Sequence, residues 1–316
     1  MCILLATTEH PDYRLIMISN RDEFFERRTH TTCWHNDNYI LSPYDMTKGL
    51  YDKEKEVYGT WTGINRDGKI STILNLRLED ENKRFSKNGQ KTMSRGMIPF
   101  KYLEKKPINE RQCINWETYE RFERCYPFLD KSGDFNFFYG DVKEQDYKVI
   151  DSLGNTFSVL DKEHGPNMVV SNDIYKPVKN NDIMEWRKVK LGKLKLRELI
   201  EETLNCHSID TIVNKCFQIA SFCSINCENE KVVKDPMVTA GTIFVPPLQC
   251  LPQQDVGLTM SGGLYYGTRS QLVTLVSRDG TKVTVSERTL HTSDSDIDEF
   301  NQYRPIETKT FNFSLA

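Results

Sequence analysis

Apolar and polar positions alternate in short blocks through most of the chain, a pattern of strands and turns broken by two longer amphipathic stretches. Residues 2–7 and 13–19 predict two strands joined by the turn Glu9-His10-Pro11-Asp12. The second strand, with its run Leu15-Ile16-Met17-Ile18, is expected to end at the polar cluster Asn20-Arg21-Asp22-Glu23. A hairpin-like return would then set that cluster beside Cys2. A polar loop region containing Trp34 follows, then a short apolar stretch over 39–43. Residues 59–64 and 69–76 predict a hairpin around Asn65-Arg66-Asp67-Gly68, whose Asp-Gly step supplies the positive φ of a tight turn.

Residues 78–89 are charged and predict a surface loop, and 94–106 and 108–124 carry helix-compatible spacing limited by Pro99 and Pro107. Strands are expected at 135–140, 147–150 and 167–172, and helices at 182–205 and 208–222. Residues 239–245 and 271–276 read as β-rich. The latter pairs with 282–287 across a second Asp-Gly turn, Asp279-Gly280, and 309–315 alternates as a last strand. Strands at both ends with helices between them predict an α+β architecture in layers, as a single domain over 1–316.

A length of 316 residues, 38% hydrophobic and 28% charged, describes an ordinary folded chain able to bury a sizeable core. The formal net charge of −3 gives no global bias towards nucleic acid. The cationic stretches Arg187-Lys188-Val189-Lys190 and Lys193-Leu194-Lys195-Leu196-Arg197 read as a solvated helix face. No run approaches the roughly 18 apolar residues of a membrane helix, and the apolar start is too short for a secretory signal, so a cytoplasmic protein without an integral membrane segment is expected. Nine cysteines at irregular spacing fit reduced thiols.

Chemistry concentrates at the start. Removal of Met1, which a residue as small as cysteine permits, leaves Cys2 with a thiol nucleophile and an α-amino base on one residue, the amine having a typical pKa of about 8. Asp22 can hold that amine through a charge-assisted bond, and Arg21 can lower the thiol pKa or bind a carboxylate. The plainer reading of residues 20–23 is a turn with a surface ion pair. Asn75, at the end of an apolar strand, and Asn172, at the end of another, are candidates to donate to an oxyanion or equally to make structural hydrogen bonds. Arg269, where a glycine loop enters a strand, either supplies a cation to the site or caps a sheet edge. Cys206, Cys216, Cys223 and Cys227, with His207 nearby, match no metal-ligand spacing and read as buried thiols, so no metal site is expected.

Taken in order, Met1-Cys2-Ile3, Ser19-Asn20-Arg21-Asp22-Glu23-Phe24, Ile40-Leu41-Ser42 and Gly59-Thr60-Trp61-Thr62-Gly63-Ile64 resemble the NRDE family, also called transport and Golgi organisation protein 2. Ser171-Asn172, Trp186-Arg187-Lys188 with Gly192-Lys193, Tyr266-Gly267-Thr268-Arg269 and Glu287-Arg288 agree with it. The resemblance is specific over 1–80, good over about 165–195 and 262–290, and faint over 100–160. It implies a four-layer αββα sandwich of the N-terminal-nucleophile hydrolase type. In that superfamily the cysteine acylases that cleave penicillin V and conjugated bile salts start with the same cysteine. Their aspartate is matched by Asp22, their asparagines look similar to Asn75 and Asn172, and their late arginine corresponds to Arg269. They carry an arginine three residues before the aspartate, where this chain has Ser19; Arg21, on the same strand face, is the available substitute.

For the family the implied roles are secretion, Golgi organisation, and haem or lipid handling, with mitochondrial or ER/Golgi association. Two functions follow. One is a binding or trafficking protein whose pocket takes a small-molecule ligand, haem or acyl-CoA, with no required cofactor. Asn20, Arg21, Glu23 and Trp61 are then binding residues, and protein partners stay open. The other is a cysteine amidohydrolase cleaving a linear amide or acyl bond, with Cys2, Asp22, Asn75, Asn172 and Arg269 as its catalytic set.

Overall fold

A computed structural model describes residues 2–46, 49–52, 55–77, 94–105, 122–123, 132–176, 185–225, 236–250 and 263–316. In chain order the strands begin with β1 (Ile3–Thr7), β2 (Tyr13–Phe24), β3 (Thr29–His35), β4 (Ile40–Asp45), β5 (Gly49–Asp52), β6 (Lys55–Tyr58), β7 (Thr62–Asn65) and β8 (Lys69–Asn75). They continue with β9 (Phe135–Asp141), β10 (Asp146–Asp151), β11 (Thr156–Val159), β12 (Asn167–Val170), β13 (Leu248–Gln249), β14 (Tyr265–Ser277), β15 (Lys282–Thr289) and β16 (Glu307–Ser314). The helices are α1 (Met97–Leu103), α2 (Arg187–Thr203), α3 (Ile209–Ala220) and α4 (Pro236–Gly241).

The described chain divides into two compact units. The first, built from Met1–Arg28, Asn167–Val169 and Ile183–Phe313, holds a seven-stranded sheet in the order β12-β1-β2-β14-β15-β16, with β13 on β14. Alternation decides which side chains meet the helices. Ile3 and Leu5 of β1, Ile16 and Ile18 of β2, and Val273 and Leu275 of β14 pack with Val189, Leu196 and Leu199 of α2 and with Ile212, Cys216 and Phe217 of α3. Gly192 lets α2 approach closely, since a Cβ there would lie 3.0 Å from Val169 and 3.2 Å from Leu5.

The second unit, built from Thr29–Pro166, Val170–Asp182 and Ser314–Ala316, holds a seven-stranded sheet in the order β11-β10-β9-β8-β7-β4-β3. Its core is aromatic: Phe135, Phe137 and Tyr139 of β9 meet Ile98, Tyr102 and Leu103 of α1. Each unit therefore supplies one antiparallel sheet with helices packed on it, and the class is α+β. The two hairpins expected at Asp-Gly steps form as read, with Gly68 at φ +93° and Gly280 at φ +74°.

Several expectations are corrected. The β2 strand does not stop before residue 20 but runs through the whole polar cluster to Phe24, because β14 pairs with it along that length. The region around Trp34 is a strand, β3, not a loop. Its polar, β-branched threonines suit the sheet edge it occupies. Residues 239–245 are not β: they finish α4, which starts at a proline suited to a first helical position, and then run irregularly. There Ser224 donates to the Gly241 carbonyl and Thr242 accepts from the Ser224 amide. The helix expected over 94–106 shortens to α1. The loop at 78–89, nearly all of the helix at 108–124, and Cys227 lie outside the described residues.

Candidate functional site

In the first unit β2 lies between β1 and β14, and its Asn20-Arg21-Asp22-Glu23 segment is paired on both sides. Ile3 pairs with Asn20, so the register carried back one residue sets Cys2 across from Arg21. Cys2 is half-buried, and its Sγ lies 4.0 Å from the Asp22 backbone oxygen. Burial pushes its thiol up, as does the Asp22 carboxylate; the Asp22 carbonyl contact and Arg21 act in the opposite sense.

The Asp22 side chain is fully buried. The Thr268 hydroxyl donates to its Oδ1 at 2.7 Å, and the Tyr266 hydroxyl donates to its backbone oxygen at 3.0 Å. Lys188 Nζ of α2 stands 3.6 Å from its Oδ2, with both side chains fully buried. Burial pushes Asp22 up and Lys188 down, and in each case the partner's charge opposes the shift. The expectation that Lys188 sits on a solvated face is therefore corrected. It is 0% exposed, on the same helical stripe as Gly192, Leu196 and Leu199. The tight seat of Gly192 one turn later brings Lys188 over the sheet.

Glu23 ion-pairs with Arg27 at 3.3 Å and with Arg21 at 3.8 Å. Burial alone would raise its carboxyl, but the two guanidinium groups outweigh it and the net direction is down. Asn20 turns to the helical side, where its Nδ2 donates to the carbonyls of Ala220 (2.8 Å) and Ile243 (3.1 Å). Its amide ties β2 to the end of α3. Residues 20–23 are thus a buried stretch of strand, not a surface turn.

Arg269 stands within β14, where the register against β2 slips between Thr268 and Ser270. Its guanidinium donates to the carbonyls of Phe25 (2.5 Å) and Thr292 (3.4 Å), a capping role. His291, stacked on Phe25, is held down to about 2 by burial and then by the Arg269 charge.

The remaining candidates belong to the second unit. Asn75 ends β8 with its side chain exposed, and its backbone oxygen accepts from the buried Asn172 Nδ2 at 2.5 Å. Trp61 is partly buried against the aromatic core. The structure thus gathers Cys2, Arg21, Asp22 and Glu23 in one unit and joins Asn75 to Asn172 in the other. Lys188, Thr268 and Tyr266 lie in stretches that resemble the family but carried no site role in the sequence. Helical spacing carried a signal only for Lys188, which falls four residues before Gly192 on the apolar stripe.

The second unit also holds a cavity of about 480 Å³ lined by His30, Cys33, Trp34, His35, Tyr44 and Phe100, among others. His30 stacks on Tyr44 at 4.6 Å, Tyr44 on Tyr58 at 5.4 Å, and Cys33 Sγ lies 3.5 Å from His35 Nε2. Burial pushes His35 down and Tyr44 up. No group of three or more metal-ligating side chains is arranged for an ion among the described residues, and no helix there is long and apolar enough to cross a membrane.

The family model for Transport and Golgi organisation 2 matches residues 1–292. The chain is 47% identical to the Saccharomyces cerevisiae protein named Uncharacterized protein YGR127W, over 100% of both chains. It is 27% identical to the human Transport and Golgi organization protein 2 homolog, over 96% of this chain and 93% of that one. Among solved structures, a C2A mutant of the conjugated bile acid hydrolase from Clostridium perfringens aligns over 98% of this chain and 96% of its own, at 10% identity and a TM-score of 0.42. A Caenorhabditis elegans N-acylethanolamine-hydrolyzing acid amidase ortholog covers 68% of this chain and 85% of its own at 11% identity and a TM-score of 0.33. Those superpositions are too loose to transfer a role. The family model, spanning nearly the whole length, does decide membership: this chain belongs to the Transport and Golgi organisation 2 family.

Proposed function

We propose that this protein serves secretion and Golgi organisation, its relatives' names carrying transport and Golgi organization, by handling haem or an acyl-chain ligand such as acyl-CoA as cargo. The observation behind this reading is the cavity of about 480 Å³ in the second unit. Its volume falls in the usual range for small-molecule sites, and its walls are aromatic with a few polar groups. The imidazoles of His30 and His35 and the thiol of Cys33 are donor types that haem iron accepts, and the ring faces of Trp34, Tyr44 and Phe100 suit a flat or apolar body. Titration of the purified chain with haem, followed by absorbance, and with palmitoyl-CoA, followed by calorimetry, tests it. Saturable 1:1 binding of one of them is expected. Absence of saturation with both rejects the proposal.

A second reading is favoured by the Cys2–Asp22–Lys188 constellation. Here the chain is a cysteine amidohydrolase, with Cys2 as nucleophile and its own α-amino group, freed by removal of Met1, as base. The thiol proton passes to the α-amine, sulfur bonds to the acyl carbon as the C–N bond breaks, the substrate's amine leaves with that proton, and water then cleaves the thioester to give the acid and return the thiol. Cys2→Ala abolishes acyl-enzyme formation on this reading, detected as a mass increment on the intact protein. An increment that survives the substitution removes Cys2 from the chemistry.

A further inference from the structure

Lys188 is the one buried cation that meets the site from the helical layer. Its ammonium stands 3.6 Å from Asp22 Oδ2, with no exposure on either side chain, and the Cys2 thiol also lies within reach of its field. A surface pair of this kind contributes little, whereas burying one costs several kcal/mol per ion before the mutual attraction is counted. An apolar pair at positions 188 and 22 would fill the same space with no such cost. The two charges are therefore kept together where stability alone gives the pair no reason to be.

A terminal ammonium acts on the Asp22 carboxylate together with that of Lys188, and removal of Met1 places it on Cys2 itself. Two cations then share one buried anion, and the arrangement is relieved when the weaker base gives up its proton. Burial pushes Lys188 down from its ordinary value near 10.4, but the Asp22 charge opposes that shift and an α-amine starts lower, near 8, so the terminus deprotonates first. We infer that Lys188 is the positioning residue that keeps the amino terminus of Cys2 uncharged near neutral pH, and so able to take the thiol proton. In turnover this rests on the amidohydrolase reading; as a property of the terminus it does not.

The neighbours agree in sign. On β2, Arg21 adds positive charge on the Cys2 side, and Asp22 and Glu23 are the anions, the latter already engaged by Arg21 and Arg27. On β14, Tyr266 and Thr268 give neutral hydroxyls to Asp22. Lys188 reaches the cluster from α2. Without it Asp22 would pair with the terminus and hold it as ammonium, the state that cannot accept a proton.

The test uses the full chain with Met1 removal verified by intact mass. The rate of Cys2 alkylation by iodoacetamide and the rate of α-amine acylation by an N-hydroxysuccinimide ester are followed from pH 5.5 to 9, with the sites assigned by peptide mass spectrometry. In the native protein the α-amine should titrate clearly below 8. Titration at 8 or above overturns the inference, and that measurement needs no variant. Lys188→Met should move the amine midpoint up by about one pH unit, an approximately tenfold loss of amine reactivity at pH 7, and should slow Cys2 alkylation. Lys188→Arg should restore the native midpoint if it folds. A folded Lys188→Met protein with native profiles overturns the inference. Neither assay needs a substrate, so a failure of the hydrolase reading shows separately, as absent acyl-enzyme with the titration shift intact.

Discussion

In the first unit the central strand carries Asn20, Arg21, Asp22 and Glu23 through a sheet interior, and the last three are ionisable side chains paired with one another, with Arg27 and with Lys188. In the second unit comparable depth holds Asp151, whose carboxylate accepts from the Leu153 and Asn155 amides of its own turn, and the neutral Thr62, Asn65, Thr72 and Asn136. Those four are tied up locally. Thr62 and Thr72 bond across the β7–β8 pair at 2.9 Å, Asn65 donates to the Leu103 carbonyl at 2.9 Å, and Asn136 donates to Ser171 and Asp173. Neutral amides that close backbone valences explain themselves as structure. Buried opposite charges do not, because an apolar replacement of the pair is commonly no less stable. The contrast sets the ion-paired cluster beside Cys2 in the first sheet apart from the second unit, which carries the cavity.

The sharpest way to break this contrast is to remove one charge. Asp22→Asn or Lys188→Met alone should cost about 3–5 kcal/mol, because each leaves its partner buried without a countercharge. The double substitution should recover most of that, read as the midpoint of urea unfolding. If the double variant is as unstable as the sum of the singles, the two groups are not a coupled pair. Asn136→Ala in the other sheet should cost roughly 1–3 kcal/mol, with two carbonyls losing a donor. No second-site charge change should rescue it, and a rescue would erase the distinction between the sheets.

Much of this division was legible before any coordinates. The strands at 135–140, 147–150 and 167–172, the helices at 182–205 and 208–222 and both Asp-Gly turns follow from local periodicity and turn chemistry, which depend on neighbours along the chain. The continuation of β2 through four polar residues did not follow, because it is imposed by β14, some 245 residues away. Lys188 was obscured by its setting: a lysine among lysines reads as solvent-facing unless the stripe through Gly192 and Leu196 is traced back one turn. Arg269 hid in a different manner. Its bulge is a register event between two strands, and no pattern within residues 265–270 announces it.

A smaller effect separates the units by pH. His291 in the first is fully buried and held near 2, so the unfolded chain binds a proton below its ordinary pKa of about 6.5 and the folded chain does not. Stability therefore falls as pH drops below about 6.5, by up to ~1.4 kcal/mol per pH unit. His291→Phe should flatten the thermal-unfolding profile between pH 7 and 5.5. His35 in the second unit is also pushed down by burial but is partly exposed, so His35→Phe should flatten the profile less. Equal effects would mean that the Phe25 stack and Arg269 give His291 no special protection from protonation.

The smallest contrast lies in the two turns, which share an Asp-Gly step and differ in what surrounds it. An alanine Cβ at Gly68 would sit 3.2 Å from Val142 and 3.3 Å from Leu315 at a φ of +93°. That is well beyond the left-handed basin centred near +57°, so the cost is backbone strain together with fixed apolar neighbours. At Gly280 the φ of +74° is closer to that basin, and the nearest atoms, at 2.7 Å, belong to the guanidinium of Arg14. That group ends a flexible side chain whose bond to the Arg278 carbonyl, at 3.2 Å, is exposed. Gly68→Ala should therefore cost about 1–2 kcal/mol and Gly280→Ala about 1 kcal/mol or less, compared by urea midpoints. If the order reverses, the Arg14 contact holds the β14–β15 hairpin more firmly than its exposure implies. The first sheet would then depend on charge at its periphery as well as at its centre.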